Sequence, residues 1–261
     1  MRTNNRGDKI TDSEGDQLPV KGVILAGGTG TRLGPLTRIT NKHLLPVYDR
    51  PMIFYPIEQL VRAGIDRIMV VTGGNHAGEF LRLLGNGAEF GLRHLDYAYQ
   101  DRAGGIAEAL SLAEFFADGD PVAVVLGDNI YQHSIAPSAQ KFIERPIGAR
   151  LLLARVDNPA AYGVAVMEGD RLKQIVEKPE MPPSDLAVTG VYFYDSRVFE
   201  FARSLKPSGR GELEITDVNN RYLELDQLQY DVVEGYWADC GESPDMLLRA
   251  SELVSRHGAN G

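Results

Sequence analysis

Two spacings of apolar residues alternate along this chain, and they predict strands separated by helices. Short β-branched runs predict buried strands, whereas longer stretches with one apolar face predict helices. In the first half the pattern predicts a strand over 23–26, a helix that Pro51 opens and Gly64 ends, a strand over 68–72, a helix over 78–84, a strand over 95–100, a helix over 106–116 and a strand over 121–126. In the second half it predicts strands over 149–156, 163–166, 173–176 and 187–194, and helices over 198–205, 216–225 and 243–257.

Strands that alternate with helices are typical of βαβ units, so the pattern predicts an α/β fold with a mixed, mostly parallel central sheet. No internal repeat or low-complexity tract interrupts the pattern. We expect a single domain over 20–261, in two halves that divide near residue 130. Residues 1–19 are polar and lack an apolar face, and we expect them to form a flexible tail outside the fold.

Composition excludes several classes of protein. The 261 residues are 43% hydrophobic and 24% charged, with a formal net charge of −9, which argues against a nucleic-acid-binding surface. Cys240 is the sole cysteine, which excludes intrachain disulfides and a thiolate metal cluster. No apolar run is long enough to cross a membrane and no signal-peptide core is present, so we expect a cytoplasmic protein without a membrane partner.

A glycine-rich segment, Gly27-Gly28-Thr29-Gly30-Thr31-Arg32-Leu33, follows the first predicted strand. Such loops bring backbone N–H groups against phosphates, and they need glycine where the chain approaches the ligand. The dinucleotide-binding pattern fails because Leu33 stands at its third glycine, and no Gly-Lys-Ser/Thr completes a P-loop. Arg32 and the downstream Lys42 favour a polyphosphate ligand over a turn chosen only for tightness.

This segment resembles the signature of the sugar nucleotidyltransferases, and among them of the glucose-1-phosphate thymidylyltransferases. The resemblance runs from about residue 20 to the end of the chain. It rests on Leu25–Leu33, Pro35, Thr37, Lys42, Leu45-Pro46-Val47, Val125-Leu126-Gly127-Asp128-Asn129, Glu177-Lys178-Pro179, Val188–Asp195, Arg210–Asp217 and Trp237-x-Asp239-x-Gly241. It implies a Rossmann-like three-layer α/β/α nucleotide-diphospho-sugar transferase fold. It also implies Mg²⁺-dependent thymidylyl transfer from dTTP to α-D-glucose 1-phosphate, which yields dTDP-glucose and pyrophosphate at the start of dTDP-deoxysugar synthesis.

The resemblance assigns a role to individual residues, with the nucleotide in the half over 20–130 and the sugar phosphate in the half over 131–261. The implied catalytic residues are Arg32, Lys42 and Lys178, and the implied Mg²⁺ ligands are Asp128 and Asp239. The implied nucleotide-binding residues are Leu25, Gly27, Gly28, Gly30, Thr31, Arg32, Gln100, Gly105 and Asp128. The implied sugar-phosphate-binding residues are Tyr162, Gly163, Glu177, Lys178, Val188, Gly190, Arg210 and Trp237.

Taken without the resemblance, several of these residues have plainer interpretations. Asp128 could cap the segment after its strand, although a carboxylate at a buried strand end needs a partner. Lys178 could belong to an exposed Glu–Lys pair, and Arg210 could be a solvated side chain. Gln100 could lie in a generic loop, although its amide can both donate to O4 and accept from N3–H of thymine or uracil.

Three other functions stay open. The first is a sugar-1-phosphate nucleotidyltransferase that uses UTP, whose uracil base lacks only the methyl group of thymine. The second is a catalytically silent regulator that binds nucleotide-sugars, which would keep the fold. The third is a Rossmann dehydrogenase, which Leu33 disfavours. A homo-oligomer also stays open.

The chain departs from the family pattern at two positions. His43 stands where many family members carry glutamine, and Cys240 where threonine is frequent. We interpret the chain as a short form without the C-terminal helical appendage, and expect weak inhibition by dTDP-rhamnose.

Overall fold

The computed structural model describes residues 19–28 and 30–261, so Thr29 and nearly all of the predicted tail over 1–19 lie outside the described residues. The strands are β1 (Lys21–Ala26), β2 (Pro46–Val47), β3 (Arg50–Pro51), β4 (Arg67–Gly73), β5 (His94–Gln100), β6 (Val122–Leu126), β7 (Asn129–Tyr131), β8 (Ala149–Arg155), β9 (Gly163–Glu168), β10 (Arg171–Glu177), β11 (Leu186–Tyr194), β12 (Leu228–Val232) and β13 (Trp237–Asp239). The helices are α1 (Phe54–Arg62), α2 (Ala77–Leu84), α3 (Ile106–Ser111), α4 (Glu114–Ala117), α5 (Ala136–Ile143), α6 (Val198–Ser204), α7 (Ile215–Glu224) and α8 (Pro244–His257).

One large sheet runs through both halves of the chain in the order β10-β9-β11-β6-β1-β4-β5, and β8 pairs with both β11 and β12. The strands β6, β1, β4 and β5 are parallel neighbours. Strand β11 is antiparallel to β6, and it joins the second half of the chain to this parallel region. The predicted mixed α/β sheet is therefore confirmed. The carboxyl ends of its parallel strands share one edge, where ligands collect in folds of this type.

Helices cover both faces of the sheet, which confirms the predicted three layers. Along β1, Val23 and Leu25 pack with α3, α6 and α7 on one face. Ile24 and Ala26 alternate with them and pack with α1, α2 and α5 on the other face. Burial on both faces explains the continuous apolar strands that the sequence shows. A smaller apolar cluster joins α8 to β2, β7 and β13.

The helix predicted to open at Pro51 begins later, at Phe54, and this prediction was wrong. Pro51 lies in β3, opposite Pro46 of β2. The next two backbone N–H groups donate to earlier carbonyls, Met52 to Leu45 and Ile53 to His43, each at 2.9 Å. Because these donors are committed to the β2–β3 segment, the helix starts after them, and Gly64 follows its end as predicted.

The helix predicted over 106–116 is divided into α3 and α4. The Ser111 hydroxyl donates back to the carbonyl of Ala107 at 2.9 Å, and the Ala113 N–H bonds three residues back to Leu110 at 2.9 Å. Backbone competition from serine and a tightened last turn explain the break. The other predicted elements are present with ends that differ by a few residues, whereas β2, β3, β7, β12, β13 and α5 were not predicted.

The short ladder between β7 and β13 has the largest consequence for the site. It pairs Asp239 with Asn129, and so brings a segment near the end of the chain beside the end of β6.

Across the described part of the chain, no helix is both long enough and apolar enough to cross a bilayer.

Candidate active site

A cleft with a cavity volume of about 330 Å³ opens at the carboxyl edge of the parallel strands. Its lining contains all the predicted site residues except Gly30 and Thr31. Those two residues belong to the loop below the cleft, where the Thr37 hydroxyl donates to the carbonyl of Gly30 at 2.9 Å. The fold therefore collects residues from both halves of the sequence around one concave site.

The glycine loop follows β1 and forms one wall of this cleft. Gly28 and Gly30 adopt φ values of 90° and 63°, a left-handed conformation that strains other residues. Gly27 leaves room for Gln100 in its present position, because an added Cβ would lie 2.7 Å from Oε1 of Gln100. Arg32 follows in an exposed 3₁₀ turn, and within residues 19–28 and 30–261 no carboxylate lies within 4.0 Å of its guanidinium. This loop offers a cation that the described carboxylates do not neutralise.

An ion pair between Lys42 and Asp128 lies at the base of the cleft. Nζ of Lys42 donates to Oδ2 of Asp128, and the two side chains are only 13% and 10% exposed. Burial, the largest single influence, would raise the pKa of Asp128, but the Lys42 ammonium, the His43 ring and the hydrogen bonds from Lys42 and Asn129 together hold that pKa below its ordinary value. Asp128 is therefore ionised, and it pairs with the Lys42 ammonium rather than capping the segment that follows its strand.

Asp239 reaches the same place through the β7–β13 ladder. The Cys240 N–H donates to the carbonyl of Asp128 at 2.9 Å, which holds the two segments together. Burial, followed by the negative charge of Asp128, raises the pKa of Asp239 to about 7. The Lys42 ammonium and the Arg32 guanidinium thus do not fully compensate the burial of two neighbouring carboxylates. The predicted metal ligands lie together, in a pocket that is short of positive charge.

Two glycines leave room for the side chains packed around this site, Gly241 for the Lys42–Asp128 pair and Gly127 for His43. A Cβ on Gly241 would lie 2.3 Å from Oδ2 of Asp128 and 2.7 Å from Nζ of Lys42. A Cβ on Gly127 would lie 2.7 Å from the imidazole of His43. Burial, together with the Lys42 ammonium, lowers the pKa of His43 to about 3, so its ring is neutral. Both glycines belong to segments of the quoted signature, but sequence reasoning had given them no role.

Asn129 is a site residue that sequence reasoning missed. Its Nδ2 donates to Oδ1 of Asp128 at 3.0 Å, which helps to fix that carboxylate. Its Oδ1 accepts from the backbone N–H of Gly190 at 2.9 Å and from the indole of Trp237 at 2.7 Å. One buried amide therefore joins β7, β11 and β13 beneath the cleft. Its position directly after Asp128 in the signature was the available signal.

The opposite wall carries a second group of charges. Glu177 ends β10, where Oε2 accepts from the Thr216 hydroxyl at 2.6 Å and Oε1 lies 3.1 Å from the Arg210 guanidinium. Lys178 adopts a φ of 43°, which a lysine rarely takes, and its ammonium lies 3.9 Å from Glu177. Its backbone N–H donates to the carbonyl of Tyr162 at 2.9 Å. The left-handed backbone turns this half-exposed cation into the cleft wall.

Arg210, one of the implied sugar-phosphate-binding residues, is already paired with several carboxylates. Its guanidinium lies 2.7 Å from Glu214, and within 3.5 Å of Glu212. Glu214 also accepts from the hydroxyl of Ser208 at 2.6 Å. Arg210 therefore ties its loop to the start of α7, and a phosphate would have to share it with these carboxylates. Lys178 has fewer and more distant carboxylate partners than Arg210, so it is the cation of this wall that is more available to a phosphate.

Aromatic side chains close the end of the cleft between the two charged groups. The rings of Tyr162 and Trp237 meet edge to face, with centroids 5.0 Å apart. The Tyr162 hydroxyl donates to Glu242 at 2.6 Å, and burial followed by this bond raises the pKa of that hydroxyl above its ordinary value. Gly163, Val188 and Gly190 line the floor beside these rings. Such a surface suits the apolar face of a hexose.

The chain resembles known proteins over most of its length. The model of the family described as "Nucleotidyl transferase" matches residues 21–256. A glucose-1-phosphate thymidylyltransferase of Neisseria meningitidis is 47% identical over 236 residues, which cover 89% of this chain and 82% of that protein. One of Mycolicibacterium smegmatis is 45% identical over 239 residues, with coverage of 90% and 82%.

Solved structures agree with these relatives. A crystal structure of a candidate glucose-1-phosphate thymidylyltransferase from Bacillus anthracis, in complex with sucrose, superposes with a TM-score of 0.87 at 48% identity, covering 91% of this chain and 96% of that one. A UDP-glucose pyrophosphorylase in complex with UDP-glucose superposes with a TM-score of 0.78 at 26% identity, covering 92% and 99%. The family match, the identity to these relatives and the shared fold show that the chain belongs to the nucleotidyl transferase family, among its glucose-1-phosphate thymidylyltransferases.

Proposed function

We propose that this protein transfers a thymidylyl group from dTTP to glucose 1-phosphate and releases pyrophosphate. The observation that carries the proposal is the pairing of two charged walls across one cleft. The Arg32 loop and the Lys42–Asp128–Asp239 group lie on one side, and Lys178 lies beside Glu177 on the other. Such an arrangement can hold two phosphorylated substrates against each other, and the relatives from Neisseria meningitidis and Mycolicibacterium smegmatis are glucose-1-phosphate thymidylyltransferases.

The reaction needs alignment and charge neutralisation more than proton transfer. A sugar phosphate has a second pKa of about 6, so at neutral pH its oxygen is mostly an anion ready to attack the α-phosphorus. Attack breaks the bond between the α- and β-phosphates, and pyrophosphate leaves. We assign Arg32 to the charge that develops on this leaving group, and Lys42 and Lys178 to positioning of the phosphates. No general base is required.

We further propose that Mg²⁺ is the cofactor and that Asp128 and Asp239 hold it. Magnesium prefers oxygen ligands and is usually held by one or two carboxylates together with substrate phosphates. The fit rests on the donor set and on the burial of Asp239 beside the negative charge of Asp128, which together raise the pKa of Asp239. When bound, Mg²⁺ would neutralise charge on the nucleotide phosphates. The residues themselves supply an ionised carboxylate at Asp128, the Lys42 ammonium beside it and the glycines that admit a close approach.

The two halves of the chain would divide the substrates. We assign the nucleotide to the half over 20–130, where Gly27, Gly28 and the Gln100 amide line the cleft. We assign the sugar phosphate to the half over 131–261, where the hexose would lie against Tyr162 and Trp237. The thymine or uracil base would meet Gln100. We also propose a cytoplasmic location, and self-association stays open.

The test is product formation with the purified chain. Incubation with dTTP, glucose 1-phosphate and Mg²⁺ should give dTDP-glucose and pyrophosphate in equal amounts, identified by anion-exchange chromatography and mass spectrometry. Omission of glucose 1-phosphate should abolish pyrophosphate release. Tight binding of dTTP or dTDP-glucose without turnover would instead identify a catalytically silent binding protein.

A further inference from the structure

The amide of Gln100 is oriented by an acidic neighbour. Gln100 ends β5 and is buried, and its Nε2 lies 3.3 Å from Oε1 of Glu108 on α3 and 3.4 Å from the carbonyl of Gly105. A carboxylate and a carbonyl can only accept hydrogen bonds, so the NH₂ side of the amide must face them. The orientation of this amide is therefore fixed by chemistry.

The carbonyl side of the same amide faces the glycine loop. A Cβ added to Gly27 would lie 2.7 Å from Oε1 of Gln100, so this oxygen lies over the bare backbone of Gly27. Both residues line the cleft. Gln100 thus presents an acceptor at its Oε1, while its Nε2 donor is hydrogen-bonded to Glu108.

Glu108 is itself held by two neighbours. The Arg102 guanidinium donates to Oε2 of Glu108 through Nε at 3.1 Å and through a terminal nitrogen at 2.9 Å. The carboxylate also packs on Gly104, where an added Cβ would lie 2.0 Å from Oε2. The Glu108 side chain is only 20% exposed, so its position is restricted although Arg102 lies in solvent.

We propose that Glu108 is a positioning residue for base selection: it locks the Gln100 amide in the orientation that thymine or uracil requires. Thymine presents a donor at N3 and an acceptor at O4, whereas cytosine presents an acceptor at N3 and a donor at its 4-amino group. The amide with Oε1 toward N3 complements thymine, and the flipped amide complements cytosine. Because Glu108 and Gly105 offer only acceptors to Nε2, the flipped amide would turn its oxygen against theirs. The inference rests on the proposed function, in which Gln100 meets the base.

The test compares kcat/KM for dTTP and for dCTP, each with glucose 1-phosphate and Mg²⁺. In Glu108→Ala the ratio of the two values should fall about tenfold or more, the range expected for loss of a hydrogen bond to a charged group. The KM for glucose 1-phosphate and the melting temperature should stay at the parent's values. Gly104→Ala should change the ratio in the same direction, because its methyl group displaces the carboxylate without removing it. Its backbone stays outside the left-handed region.

The matched control is Glu114→Ala, which removes a half-exposed carboxylate paired with Arg203 and should leave the ratio unchanged. An unchanged ratio in Glu108→Ala, with a collapsed ratio in Gln100→Ala, would overturn the role of Glu108 and keep Gln100 as the reader. An unchanged ratio in Gln100→Ala would overturn the proposal by placing base selection elsewhere. Failure of the parent to make dTDP-glucose would overturn the proposed function itself, and is seen before any variant is made.

Discussion

Asp128 and Asp239 are assigned to one metal ion, yet their substitution by asparagine should change stability in opposite directions. In the metal-free protein, Asp239 has a pKa of about 7 against an ordinary value of 3.8. A carboxyl whose pKa is raised by folding contributes stability at low pH and loses that contribution as the pH rises through 7. At pH 8 the penalty approaches about 4 kcal/mol, at 1.36 kcal/mol for each pKa unit. Asp239→Asn removes the charge and should therefore raise the free energy of unfolding.

Asp128→Asn should do the reverse. Asp128 compensates the buried Lys42 ammonium, and removing one partner of a buried ion pair typically costs about 3–5 kcal/mol. The relief of Asp239 from a neighbouring negative charge offsets part of this loss, so we expect a net decrease of about 2 kcal/mol or more.

Urea denaturation at pH 8 in EDTA measures both effects. The advantage of Asp239→Asn over the parent should shrink to less than half at pH 5, because the parent's carboxyl is then mostly protonated. Both variants should lose most Mg²⁺-dependent turnover. If the two variants shift the free energy of unfolding in the same direction at pH 8, the description of this charge group is wrong.

Three further predictions follow from the site. Arg32→Ala should lower kcat at least tenfold with little change in the KM for glucose 1-phosphate, since its proposed partner is the leaving pyrophosphate; steady-state kinetics that put the whole defect in that KM would reassign it. Lys178→Gly should lower kcat/KM for glucose 1-phosphate about a hundredfold. Its melting temperature should be no lower than that of Lys178→Ala, because glycine accepts the φ of 43° that strains alanine. A lower melting temperature for the glycine variant would contradict this. Burial holds the pKa of His43 near 3 against 6.5 when unfolded, so stability is lost as the pH falls below about 6.5. His43→Gln should lose about 2 kcal/mol less than the parent between pH 7 and pH 5 in urea titrations, whereas the exposed control His257→Gln should track the parent.

The nucleotide side of the site could be predicted from local patterns. Gly27, Gln100 and Asp128 each lie at the end of a strand or just after it, and parallel strands place such residues at one edge of a sheet, whatever their separation in sequence. Resemblance to the family was needed only to give them roles. Their joint presence in the cleft follows from the strand order β6-β1-β4-β5.

The other side depended on contacts that periodicity does not encode. Asp239 reaches Asp128 through the three-residue ladder β7–β13, which is too short to read from sequence. The partners of Arg210, the left-handed backbone of Lys178 and the bridging amide of Asn129 depend on tertiary packing. The prediction at Pro51 was wrong because proline is found both in the first turn of a helix and in short edge strands. Only the hydrogen bonds of the backbone N–H groups in the neighbouring segment decide between the two.

The proposed thymidylyl transfer is tested most directly by nucleotide preference. The measurement is kcat/KM for pyrophosphate release with dTTP, UTP, dCTP, GTP and ATP, each with glucose 1-phosphate, in the presence and absence of Mg²⁺. We predict the highest value for dTTP, a smaller one for UTP, little release from the other three, and loss of activity when Mg²⁺ is removed. A higher value for UTP than for dTTP, or pyrophosphate release that does not require glucose 1-phosphate, would contradict this function.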